Sequence, residues 1–201
     1  MANHLLAIRW DSCSRAAEAI AQPEPRRRSG DRFVATLLTT ISDEQRALIE
    51  SSKLFFVASA DPTLQPGDSG QGPVNLSPKG VTPLHVVDER TVAYLDYEGS
   101  GNETARHSAR GGPVTLMIMS MDGQDAAIVR LYGHTTASPL DQSPLRDQLL
   151  ASPAEDLHLP QRQVIRVAID HTQTSCGYGV PIYAYVAERT EAERGRQYKG
   201  G

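Results

Sequence analysis

Cysteine is nearly missing from this 201-residue chain: Cys13 and Cys176 stand far apart, so neither a disulfide framework nor a C-x-x-C metal site is available. No apolar run approaches the roughly 18 to 20 residues that a membrane-crossing helix needs; the longest are strand-sized. A basic excess is absent as well. Twenty Lys and Arg face 24 Asp and Glu, giving a net charge of −4 and a pI near 5.9. That balance excludes a chain built to neutralise nucleic-acid phosphates. No secretory leader is expected, because Arg9 and Asp11 interrupt the short LLAI run before an apolar core can form. What remains is the expectation of an acidic, soluble, cytoplasmic protein, long enough to bury a core of its own.

Charge is uneven along the chain. Residues 1–40 hold six arginines and four acidic residues, and AQPEPRRRSGDR has almost nothing apolar to bury. Such a composition cannot offset the entropy of ordering. Residues 1–40 therefore read as a flexible N-terminal extension, the alternatives being a start placed too far upstream or a partner-touching patch at Arg26, Arg27 and Arg28; the four acids disfavour a targeting leader. Residues 41–188 read as the folded domain and 189–201 as a tail.

Order is expected to begin at Ser42, which can cap a helix of about ten residues with Gln45 at its third position, a capping box. Ile41, Ala47 and Leu48 supply its apolar side. After it the hydrophobic period shortens to strand-like runs at 54–60, 73–77, 84–88, 91–97, 114–121, 126–137 and 163–170, most of them rich in Val, Ile, Thr or aromatics and bounded by turn residues. Asn102 and the Gly111-Gly112 pair bracket a second helix, Asp122-Gly123 marks a hairpin, and PLRDQLLASP and YVAERTEAERGRQ read as peripheral helical patches. Seven short strands and few helices predict a mainly β fold, an antiparallel sheet closing on itself with a helix plugging a gap.

Two segments place small and polar residues where a plain sheet has no need of them. NLSPKG ends a strand with a hydroxyl at Ser77, a cation at Lys79 and a glycine at Gly80 that allows close approach of a ligand. EGSGNET runs from a strand through two glycines into a helix start, where backbone N–H groups and the side chains of Ser100, Asn102 and Thr104 can receive an anion. Each alone is also a serviceable turn or cap, and neither matches the P-loop pattern. His85, His107 and His134 lack the spacing of a metal site, and none is expected. No catalytic constellation stands out.

Taken in order, LFFVASA, GPVNLSPKG, TVAYLDYEGSGNETARH, VTLMIM, IVRLYGH and TSCGYGVPIY resemble the pyridoxamine 5′-phosphate oxidase-like family of FMN-binding split barrels, over about residues 41–188. The resemblance implies a six- to seven-stranded antiparallel split β-barrel that forms a homodimer with FMN between the subunits. It assigns the flavin phosphate to Lys79 and to the loop of Ser100, Gly101, Asn102 and Thr104, and the ring to the neighbourhood of Asn75, Ser77, Leu95 and Asp96. It implies an oxidoreductase with a small-molecule substrate or a nicotinamide donor; the alternatives are a non-catalytic flavin-binding or sensing module, or a deazaflavin- or haem-binding protein of the same fold.

Departures from the family pattern narrow this. Gly101, Asn102 and Glu103 stand where true oxidases carry an Arg-Lys pair, Pro113 stands where many relatives carry Arg, and the C-terminal stretch has no counterpart of the basic residues that hold the substrate's phosphate. True pyridoxamine phosphate oxidase activity is therefore not expected. Cys176 and His171 lie five apart, on opposite faces of a strand end. They do not read as a thiol–base pair; TSCGYGVPIY reads instead as a tight turn at the subunit interface, with Tyr178 and Pro181 near the flavin groove.

Overall fold

Ser42 starts the first helix as its sequence requires. In the computed structural model, which describes residues 35–67, 71–99, 101–123, 125–151 and 160–189, α1 spans Asp43–Ser51. The Ser42 hydroxyl accepts from the Gln45 N–H at 3.2 Å, and Gln45 Oε1 accepts from the Ser42 N–H at 3.1 Å, closing the capping box. Of the expected apolar side, Ile41 is buried in the core and Leu48 packs against it, while Ala47 is exposed; the helix also buries Ile49 and Gln45. Gln45 can be buried because its amide is satisfied, donating to Thr174 Oγ1 at 2.9 Å and accepting from Thr172 Oγ1 at 3.0 Å.

Among the described residues eight strands make one antiparallel sheet: β1 (Thr36–Leu38), β2 (Phe55–Ala60), β3 (Val74–Lys79), β4 (His85–Asp88), β5 (Thr91–Tyr97), β6 (Pro113–Met119), β7 (Ala127–Pro139) and β8 (Gln161–Cys176). Their order is β3-β2-β6-β7-β8-β5-β4, with β1 also on β8. β1 lies in the stretch whose composition suggested an extension, so the sheet reaches N-terminal of residue 40. β8 runs past the expected end at Asp170 to Cys176, because HTQTSC, although polar, pairs with both β7 and β1 and has its buried Thr172 hydrogen-bonded.

Among the described residues three shorter elements join these: α2 (Glu103–Ala109), a 3₁₀ turn at Leu140–Gln142, and α3 (Arg146–Leu150). The hairpin joining β6 and β7 forms, with a longer connection than a two-residue turn. The second peripheral patch is corrected in part. Residues 185–189, the described part of it, form no helix, and the remainder of the patch lies outside the described residues; just before it the Tyr183 N–H is bonded to the Met121 carbonyl at 2.8 Å.

The sheet is curled, and one distance proves it. β3 and β5 are five places apart in strand order, which in a flat sheet at about 4.8 Å per strand would separate them by ~24 Å. Yet Lys79 of β3 and Asp96 of β5 form an ion pair at 2.8 Å, and the rings of Phe55 and Tyr94 meet edge to face at 5.3 Å between centroids. The sheet has therefore rolled into a barrel left unzipped between β3 and the β5-β4 side, a split barrel. Its edges are blunted: β3 carries Pro78, which has no N–H to offer, and β4 is short and irregular where it pairs with β5.

Phe55, Val57, Val92, Tyr94, Leu116, Ile118, Leu131 and Val167 fill the barrel. On its outer wall Ala93, Leu95 and Val164 are covered by Leu149 of α3. α2 plugs one end: His107 Nδ1 lies 2.9 Å from Ser59 Oγ, and Ser108 donates to the Thr135 carbonyl. The helix stops because Gly111 adopts φ +76, and because the chain then passes so close to β2 that a Cβ on Gly112 would overlap the Ala60 carbonyl oxygen. Gly112→Ala is expected to destabilise the fold by about 2 kcal/mol, in the range of overpacked sites, measured by urea unfolding with the m-value unchanged.

Candidate functional site

Alternation along β3 sends Asn75, Ser77 and Lys79 to the face shared with Phe55 and Val57, and Val74, Leu76 and Pro78 to the outside. The inward set stands at the edge of the split. Across it lie the end of β5, the glycine loop that follows, and the start of α2. Between them is a groove of about 440 Å³, lined by Asn75, Ser77, Pro78, Lys79, Asp96, Tyr97, Gly99, Gly101, Asn102, Glu103 and Thr104. The two segments that stood out in the sequence thus form the two walls of one groove.

Asn75, Ser77, Lys79, Asp96, Gly101, Asn102 and Thr104 are all in this lining. Leu95 is not: its side chain faces the opposite side of β5, packed in the outer cluster, so only its main chain is near the groove. Ser100 lies outside the described residues. Asn102 occupies the cap position of α2 but does not cap it; its Oδ1 instead accepts from Gln163 Nε2 at 2.8 Å.

Charge inside the groove is balanced by contact. Asp96, with 12% of its side chain exposed, accepts from Lys79 Nζ through Oδ1 at 2.8 Å and from Gln163 Nε2 through Oδ2 at 2.9 Å. Lys79 also lies 5.7 Å from the ring centre of Tyr94 beneath it. The Tyr94 hydroxyl is fully buried without a hydrogen-bond partner, and burial, with the negative Asp96 second, pushes its pKa up, keeping it neutral. Glu103 pairs with Arg106 at 3.2 Å, and its carboxylate leans against Gly101.

Two residues that sequence reasoning missed belong to this arrangement. Arg162 and Gln163 open β8, in a run, QRQVIRV, that reads only as the start of a strand. Pairing register is what brings them here, since Gln163 stands opposite Asp96. No local motif carries that information.

Behind α2 sits a second polar cluster. Asp61, buried, accepts from the Thr63 hydroxyl at 2.6 Å, from Arg110 at 2.7 Å and from the Thr63 N–H at 2.9 Å; these contacts hold its carboxyl well below the usual carboxylate range. Farther along β8, His171 stacks on Tyr132 at 4.5 Å, while Cys176 is exposed and accepts from the Tyr178 N–H at 3.4 Å. The two residues serve separate contacts, and the Val180 N–H bonded to the Gly177 carbonyl at 2.8 Å makes the expected tight turn.

The family model described as pyridoxamine 5′-phosphate oxidase matches residues 41–176, a span that takes in the barrel from the residue before the Ser42 cap to the end of β8 and both walls of the groove. The chain belongs to the pyridoxamine 5′-phosphate oxidase family. Among members of that family it is similar to the pyridoxamine 5′-phosphate oxidase family protein ustO of Aspergillus flavus, 33% identical over 149 residues that make up 71% of this chain and 55% of the relative. The chain thus spans about half the length of that curated relative. Solved structures similar to it include HupZ from Group A Streptococcus, at a TM-score of 0.47 and 17% identity over 64% of this chain and 89% of that one. Another is an FMN-binding protein from Syntrophomonas wolfei, at 0.45 and 14% over 64% and 82%. No helix among the described residues is long and apolar enough to cross a membrane.

Removing Lys79 leaves a carboxylate at the seam with one strong partner fewer. Lys79→Ala is expected to cost about 2 kcal/mol of stability in urea unfolding, between the ranges for exposed and buried pairs. Adding Asp96→Ala should cost less than the sum of the single changes; strict additivity would mean that the pair does not hold the seam.

Proposed function

We propose that this protein binds FMN in the seam groove and acts as a flavin-dependent oxidoreductase, a cytoplasmic homodimer with the cofactor at the subunit interface. The observation that carries this reading is the convergence of NLSPKG and the glycine loop on one groove with Lys79 in its wall. Its volume is in the range of small-molecule sites. The donor set suits a phosphate joined to a polar planar ring: one ammonium at Lys79, hydroxyls at Ser77 and Thr104, amides at Asn75 and Asn102, and the main chain at Gly101. The two carboxylates in the lining are both taken up by cations, Asp96 by Lys79 and Glu103 by Arg106, so neither presents an uncompensated negative charge.

When bound, the flavin supplies hydride or electron transfer. The chain's own residues bind and orient it. Lys79 and Thr104 hold the anionic end, Asn75 and Ser77 offer hydrogen bonds along β3, and the main chain of Leu95 and Asp96 borders the ring. Asp96 sets where the Lys79 ammonium stands. Engagement of both groove carboxylates by cations favours, as a second reading, a flavin-binding module without turnover.

Support for the dimer comes from the outside of the same strand. Val74 and Leu76 are 63% and 65% exposed on an edge strand beside Pro78, an apolar strip of the kind that marks interfaces. Leu76→Glu is expected to shift the protein to monomer in light scattering and to weaken FMN uptake with it.

The purified protein should show the absorption bands of oxidised flavin, or acquire them on adding FMN, and lose them with NADH or NADPH if it turns over. A Soret band, or a colourless protein that ignores FMN, would overturn the reading. Lys79→Ala should weaken FMN binding tenfold or more in a fluorescence titration; unchanged affinity would remove Lys79 from the site.

A further inference from the structure

We propose that Arg162 is a positioning residue that fixes the shape of the glycine loop on the far wall of the groove, acting through the main chain without touching the ligand. The inference rests on the reading of the groove as a flavin site and adds to it the element that holds the receiving wall in place. Arg162 enters from β8, with 20% of its side chain exposed, and spends both terminal nitrogens on the loop: Nη1 donates to the Gly101 carbonyl at 2.8 Å and Nη2 to the Gly99 carbonyl at 3.0 Å. It does not line the groove. Its effect on a ligand must therefore pass through the loop it grips.

The loop needs an external hold. Glycine has the widest backbone freedom of any residue, and a Cβ built on Gly99 would meet nothing within 4 Å, so side-chain packing does not fix that position. A planar guanidinium with a rigid fork of donors can bridge two carbonyls at once, which a lysine ammonium on its flexible stem cannot do in one fixed geometry. Gln163, the next residue on β8, extends the grip by giving Nε2 to both Asp96 Oδ2 and Asn102 Oδ1. β8 thereby ties together the end of β5, the glycine loop and the start of α2.

Arg162 has a second consequence, for charge. Its guanidinium is 3.9 Å from Asp96 Oδ2. If a phosphate draws Lys79 toward itself, Asp96 keeps a nearby cation and the Gln163 amide, so the carboxylate is not stranded and Lys79 can serve the ligand. This makes Arg162 the residue that lets one ammonium both close the seam and receive an anion.

The test compares Arg162→Ala, Arg162→Lys and wild type by three readouts: amide hydrogen exchange of the segment 97–106, FMN affinity by fluorescence titration, and the thermal unfolding midpoint. Within that segment the Glu98 N–H is bonded to the Pro160 carbonyl at 2.9 Å and the Arg106 N–H to the Asn102 carbonyl at 3.1 Å, so both amides report on the loop. Arg162→Ala should speed exchange there tenfold or more, leave exchange in β6 and β7 unchanged, and weaken FMN at least tenfold, with the midpoint moving by only a few degrees. Arg162→Lys should recover little of either effect, and it replaces the alanine variant if that fails to fold. Exchange equal to wild type in a folded variant overturns the proposal, and so does faster exchange with FMN affinity intact. If wild type takes up no FMN, the flavin reading fails separately, and the exchange result alone decides whether Arg162 holds the loop.

Discussion

The ion pair between Lys79 and Asp96 joins two strands that the sheet order keeps five places apart, and both the shape of the barrel and the character of its groove follow from it. A sheet with Pro78 on one edge and a short irregular strand on the other cannot complete its ladder of main-chain hydrogen bonds. Side chains must bridge the gap. Phe55 against Tyr94 does so in the interior, and Lys79 with Asp96 does so at the mouth. The opening left beside them is where the glycine loop and the start of α2 complete a cavity.

That arrangement answers an electrostatic difficulty visible in the composition. The first 40 residues hold more basic than acidic side chains, so the barrel is more acidic than the overall net charge of −4. An anion entering the seam meets an unfavourable overall field, and its binding depends on groups within a few ångströms. The groove supplies these in compensated form: Lys79 is held by Asp96, Asp96 is shared with Gln163 and approached by Arg162, and Glu103 is held by Arg106. A cation kept paired in this way is already oriented, at the cost of a competition that any anionic ligand must win.

Much of this was legible in the amino-acid sequence, for identifiable reasons. The Ser42 capping box, the glycine stop after α2 and the strands from β2 to β7 rest on local chemistry, which a single chain displays directly. Asn75, Ser77, Lys79 and the glycine loop were visible because small polar residues at strand ends break an apolar pattern. What stayed hidden depends on pairing. Leu95 and Asp96 are neighbours in sequence, but strand alternation sends one to the outer wall and the other to the groove. Gln45 is buried on the strength of hydroxyls 127 and 129 residues away. Arg162 and Gln163 become part of the site only because β8 aligns with β5 in one register. β1 escaped notice because three residues following an Arg- and Pro-rich stretch carry too little pattern to separate from it.

The most direct measurement is a crystal structure of the protein grown with FMN. Flavin density lying in the seam, with its phosphate against Lys79 and Thr104 and its ring along Asn75 and Ser77, is the predicted result. A flavin bound elsewhere on the barrel, or a complex in which Lys79 remains closed on Asp96 and away from the phosphate, would contradict it.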